Sequence, residues 1–147
     1  MKGRYLFDTT ALLALRDDAE GADLVEEILR KAELGTYEAY VSFMSLMEIY
    51  HRVWIDEGER AAKKIYLELA TLPITRVDVD EDLIRGAARV RATVALSVAD
   101  SFIIATAERY GATLVHKDPQ FEAAEGVVHL ISLQSDASSF ITPHPAP

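Results

Sequence analysis

The sequence predicts an α/β domain built on a parallel sheet that is covered by helices on both faces. Short apolar runs alternate along the chain with longer segments of helical periodicity. Acids and turn residues recur where the short runs end, the pattern expected when strands deliver polar groups to one edge of a sheet. The length of 147 residues, half of them hydrophobic and 27% charged, suits one domain with one proper core.

Taken in order, Arg4–Phe7 reads as the first strand and Thr10–Arg16 as a helical run. Asp23–Leu34 sets Leu24, Ile28 and Leu29 at the spacing of an amphipathic helix, and Gly35 supplies its stop. Tyr40–Phe43 reads as a second strand, followed by helices over Leu46–Glu57 and Arg60–Leu72. Ile74–Val77, after Pro73, reads as the third strand. Asp80–Thr93 and Ala99–Tyr110 read as helices, the latter ended by Gly111. Thr113–His116 is the fourth strand and the neighbourhood of Val127–Leu130 the fifth. No repeat or interior linker interrupts residues 1–134, which therefore form one domain. In Ser135–Pro147 the prolines at 143, 145 and 147 exclude a helix or a central strand, so residues 135–147 read as a flexible tail.

Composition excludes several classes. The chain has no cysteine, which removes disulfides, zinc–thiolate sites and a cysteine nucleophile. Its first apolar run, ending at Asp8, is too short for a secretory segment, and no stretch approaches the roughly 18 apolar residues of a membrane span. A cytoplasmic protein without membrane contact is expected. The net charge of −9 argues against tight, non-specific binding of duplex DNA through a basic face. It leaves room for a transient nucleic-acid contact, because gathered carboxylates can recruit a divalent cation that meets a phosphate.

Four acids occupy equivalent positions. Asp8 ends the first strand, Glu48 and Asp100 stand in the first turns of helices, and Asp118 lies just past the fourth strand. In an open parallel sheet such positions converge at the carboxyl edge. Bare carboxylates so gathered repel one another, and a hard divalent cation such as Mg²⁺ removes the conflict. Each acid also has a local reading. Asp8 suits a helix N-cap, and Ser45–Glu48 and Ser97–Asp100 both match a capping box. Asp118 before Pro119 is ordinary turn chemistry. Against the purely local account, Glu48 and Asp100 are flanked by apolar residues, where an acid needs a partner.

The segments FDTTALLAL (Phe7–Leu15), SLMEIYHRV (Ser45–Val53), LSVADSFIIATAERYGATLVHKD (Leu96–Asp118) and DPQFE (Asp118–Glu122) together resemble the PIN-domain nucleases, specifically their VapC toxin branch. The resemblance implies a three-layer α/β/α sandwich with a five-stranded parallel sheet. It implies an endoribonuclease dependent on Mg²⁺, with Mn²⁺ able to substitute. It assigns Asp8, Glu48, Asp100 and Asp118 to metal ligation and catalysis, with Thr10 orienting the first aspartate or a bound water. It further implies a VapB-like antitoxin and a homodimer, with contacts near Ile49, Val53 and Ile65. One departure is the absence of a closely spaced second aspartate after Asp118.

Lys117, Arg52, Arg89 and Arg91 are candidates for contacts with RNA phosphates, though residues of this kind are more often solvated surface charges. Other readings stay open. A PIN-like scaffold without turnover and a housekeeping RNA processor share these motifs. Asp8-Thr9-Thr10 after a strand is also similar to phosphoaspartate enzymes, which want a second aspartate where Thr10 stands.

Overall fold

A computed structural model describes residues 3–134; the Pro-rich end read as a tail lies outside the described residues. Strands β1 (Gly3–Phe7), β2 (Tyr37–Ser42), β3 (Thr75–Val77), β4 (Thr113–His116) and β5 (Leu130–Ser132) form one sheet in the order β3-β2-β1-β4-β5. Every neighbouring pair is parallel. The helices are α1 (Thr9–Arg16), α2 (Ala22–Glu33), α3 (Phe43–Glu57), α4 (Glu59–Leu69), α5 (Glu81–Thr93) and α6 (Val98–Tyr110), with a short 3₁₀ turn over Pro119–Ala124.

Side-chain alternation along the central strands builds the layers. Leu6, Tyr40 and Leu114 are in register across β1, β2 and β4, and they pack with Leu83, Ile103 and Phe121 of α5, α6 and the 3₁₀ turn. One residue further on, Phe7, Val41 and Val115 face the other way. They pack with Leu12, Ile28, Leu46 and Ile65 of α1 to α4. Two cores on opposite faces of one sheet make the three-layer α/β/α sandwich that the sequence predicts. No single helix among the described residues is long and apolar enough to cross a membrane.

From β1 the chain moves outward through β2 to β3, then returns to place β4 on the other side of β1. The order of strands thus reverses between β1 and β4. Ligands of open parallel sheets bind at the carboxyl ends of the strands at such a reversal. Asp8 follows β1 and Asp118 follows β4, so both acids stand at this point.

Three expectations shift in detail. α3 starts at Phe43 rather than Leu46, because Ser42, the last residue of β2, caps it by accepting the Met44 N–H at 3.1 Å. The strand therefore passes into the helix without a loop, and Ser45 is a buried interior residue rather than a cap. β5 covers Leu130–Ser132 because the 3₁₀ turn and the following Val127 and Val128 N–H bonds to the Ala124 carbonyl occupy the earlier positions. Finally, Ile49, Val53 and Ile65 are buried in this chain's own core between α3, α4 and the sheet, so they offer no surface for a second copy.

Glycine is required at the turn into α2. Gly21 has φ +95°, and a Cβ there would lie 2.6 Å from the Leu133 Cβ just past β5. Gly111 ends α6 in the left-handed conformation expected of it, at φ 60°.

Candidate metal centre

Asp8 stands where β1 turns into α1, its backbone still extended. Its carboxylate caps α1 by accepting the Ala11 N–H at 2.8 Å. The Thr10 hydroxyl donates to both carboxylate oxygens, at 2.9 and 2.7 Å. That hydroxyl in turn accepts the Lys117 backbone N–H at 2.8 Å, which ties α1 to the segment after β4. Burial dominates the electrostatics of Asp8 and pushes its pKa up to about 7, against the opposing pull of these donors. The nearby Asp118 carboxylate adds to the rise. The helix-capping reading of Asp8 is therefore met by a residue that also borders the cavity described below.

Glu48 lies in the second turn of α3, where its Oε1 accepts the Thr9 hydroxyl at 2.7 Å. Asp100 stands in the first turn of α6. Its backbone N–H is capped by the Ser97 hydroxyl at 3.1 Å, which holds the turn while the Asp100 carboxyl lines the cavity. Burial raises the Asp100 pKa, and the charges of Asp118 and Glu48 raise it further; Ser97 and the Arg52 guanidinium pull the other way. Asp118 opens the 3₁₀ turn and accepts the Gln120 N–H at 3.0 Å. Behind it, the buried His116 ring accepts the Asp118 N–H on Nδ1 at 3.1 Å and packs edge-to-face on Phe121. Burial lowers the His116 pKa, which favours the neutral ring that this acceptor role requires.

One cavity of about 230 Å³ is lined by all four acids, together with Thr9, Thr10, Arg52, Ser97, Ile103 and Gln120. The fold thus gathers residues separated by up to 112 positions in sequence, and all five sequence-derived site residues border the same space. Among the described residues no three acid or imidazole side chains close on a single ligating point. Of the four basic residues read as phosphate contacts, Arg52 borders the acidic cavity, and Arg89 and Arg91 on α5 do not. Arg91 instead donates to the Leu96 carbonyl at 3.3 Å.

Thr9 and Ser97 belong to this site although neither stood among the candidate site residues. Thr9 carries a usable signal, a second hydroxyl beside Thr10 straight after a strand-ending aspartate. Its partner Glu48 lies 39 residues away, and only the fold supplies that pairing.

The parallel sheet between two helical layers, with an acid-lined cavity at its strand reversal, defines the chain as an open α/β domain. Within that class, the family model of the PIN domain matches residues 5–127, and this chain belongs to the PIN-domain family. Solved structures agree on the fold. The DNA-bound VapBC of Salmonella typhimurium superposes with a TM-score of 0.70 at 14% identity, covering 91% of this chain and 100% of that one. A toxin–antitoxin complex from Klebsiella pneumoniae gives 0.65 at 16% identity, covering 90% and 99%. VapBC-5 of Mycobacterium tuberculosis, from the VapBC family of toxin–antitoxin systems, gives 0.57 at 20% identity, covering 90% and 99%. No curated protein matches this chain by sequence.

Proposed function

We propose that this chain is a divalent-metal-dependent endoribonuclease, the VapC-like toxin of a toxin–antitoxin pair, using Mg²⁺ with Mn²⁺ as a substitute. The observation that carries this reading is the single cavity bordered by Asp8, Glu48, Asp100 and Asp118. Its donor set is all oxygen, the preference of hard cations. Burial raises the pKa values of Asp8 and Asp100, and the neighbouring carboxylates add to the rise, a cost that a bound divalent ion would offset.

Asp8, Asp100, Glu48 and Asp118 would hold the metal. When bound, such an ion supplies a nucleophilic water at neutral pH and neutralises charge at the phosphate during cleavage. The remaining work falls to this chain's own side chains. Thr10 fixes the rotamer of Asp8 by donating to both oxygens, and the Lys117 N–H fixes Thr10. Thr9 orients Glu48, Ser97 holds the first turn of α6 beneath Asp100, and His116 sets the turn that presents Asp118. Such prior positioning removes reorganisation cost from the chemical step. Products with 5′-phosphate and 3′-hydroxyl ends follow from the family resemblance. A VapB-like antitoxin partner is supported by the VapBC complexes among the structural neighbours. A homodimer rests on the family resemblance alone.

Single-stranded RNA offered with Mg²⁺, Mn²⁺ or chelator tests the activity, with Asp8→Asn and Asp100→Asn as controls. Cleavage by the parent that disappears in both variants supports the reading. Metal binding with no cleavage of any RNA would favour a silent scaffold. Growth arrest on expression, relieved by the protein of an adjoining gene, separates a toxin from a housekeeping processor.

A further inference from the structure

A second hollow opens beside the acidic cavity. It measures about 270 Å³ and shares two walls with its neighbour, Thr10 and Arg52. Beyond those walls its character changes. Leu13, Ala14 and Ala19 give it an apolar lining, while Lys117 and Asp17 bring opposite charges.

The state of the two cations is the informative feature. Eight of the described lysines and arginines hold a carboxylate, while Arg60, Lys64 and Arg89, which do not line this hollow, hold none. Arg16 holds Glu57 at 2.7 Å, Arg109 holds Asp80 at 2.8 Å and Arg76 holds Asp78 at 2.7 Å. The head groups of Arg52 and Lys117 form no hydrogen bond or ion pair with any described residue, although Asp100 is near enough to feel the Arg52 charge. Two uncommitted cations flank an apolar hollow, directly beside a cavity suited to phosphodiester cleavage.

We propose that this hollow seats the nucleotide next to the scissile phosphate of single-stranded RNA, with Arg52 and Lys117 holding its phosphate. The inference rests on the nuclease reading above. Unpaired bases are recognised by apolar and stacking contact with splayed rings, and phosphates by Arg and Lys. Leu13, Ala14 and Ala19 provide the contact for the ring. Arg52, in the wall common to both hollows, spans the phosphate between them with a planar fork of donors. Asp17, whose Oδ1 already accepts from Arg16 at 3.3 Å, repels phosphate and keeps its second oxygen for N–H groups on the edge of a base.

The test separates Arg52 from the metal centre. Arg52→Gln and Lys117→Gln are assayed on a short single-stranded RNA with Mn²⁺, and Mn²⁺ affinity is measured apart by calorimetry. Loss of one charge-assisted contact predicts KM raised about tenfold in each variant, with kcat nearly unchanged. The log–log salt dependence of kcat/KM should become shallower by about 0.7 per lost phosphate contact. Removing a positive charge beside the acids leaves Mn²⁺ affinity unchanged or tighter, the opposite direction from the loss in RNA binding. Arg52→Lys should recover part of the KM, and Lys64→Gln on α4 should match the parent. Unchanged KM in both glutamine variants of a cleaving parent overturns this inference alone. Mn²⁺ affinity that weakens in step with KM also overturns it. A parent inert on RNA with every metal removes the nuclease reading, and this inference with it.

Discussion

Replacing Asp8 by Asn should stabilise the metal-free protein at alkaline pH while abolishing its metal response. Asp8 is 2% exposed, and burial carries its pKa from 3.8 to about 7. The folded state therefore retains a proton that the unfolded chain has already released, so stability falls as pH rises from about 4 to about 7 and stays low above. At about 1.4 kcal/mol per pKa unit, the ionised carboxylate opposes folding by about 4 kcal/mol at pH 8. Asn caps a helix as well as Asp does. Its carbonyl oxygen can accept the Ala11 N–H and the Thr10 hydroxyl that Asp8 accepts now. Urea denaturation in chelator should thus show Asp8→Asn ahead of the parent by about 3–4 kcal/mol at pH 8, and by about 1 kcal/mol at pH 4.5. In a chain of this size the alkaline difference corresponds to about 10 °C in Tm. Addition of Mn²⁺ should raise the stability of the parent through preferential binding to the folded state and leave the variant where it was. An advantage for the Asp8→Asn variant that is the same at both pH values, or none at pH 8, would refute the electrostatic account of Asp8.

Other outcomes follow from the same geometry. Thr10→Val removes the donor to Asp8 and the acceptor of the Lys117 N–H, so denaturation should report a loss of about 1–3 kcal/mol and cleavage assays a lower kcat. Ser97→Ala deletes the cap of α6 and should cost about 1 kcal/mol, with weaker Mn²⁺ binding in calorimetry because Asp100 loses its anchored turn. Leu114→Ala, at a fully buried position in β4, should cost about 2–5 kcal/mol in denaturation while leaving Mn²⁺ affinity per folded molecule unchanged.

Much of this molecule was legible from periodicity and spacing. The five strands and six helices follow from apolar runs punctuated by Gly35, Pro73 and Gly111, and Asp8, Asp100 and Asp118 stand out because each follows a strand or opens a helix, whereas Glu48, read in a first turn, lies in the second because α3 starts at Phe43. Local pattern was weakest where tertiary contacts decide. The α3 boundary depends on Ser42 rather than Ser45 as the cap, and both hydroxyls fit the local motif. β5 was displaced because the 3₁₀ turn after Asp118 leaves no strong periodic signal. The apolar faces of α3 and α4 read equally as core or as dimer surface, and the structure commits Ile49, Val53 and Ile65 to the core. Within the site, the partnerships of Thr9 with Glu48 and of Thr10 with the Lys117 N–H span 39 and 107 residues, distances at which spacing carries no signal.

Anomalous diffraction from crystals soaked in Mn²⁺ probes the metal assignment most directly. A peak inside the space enclosed by β1, α3, α6 and the turn after β4, lost when Asp8 is changed to Asn, is the expected result. Manganese density elsewhere on the molecule, or density in that space that survives the substitution, would contradict it.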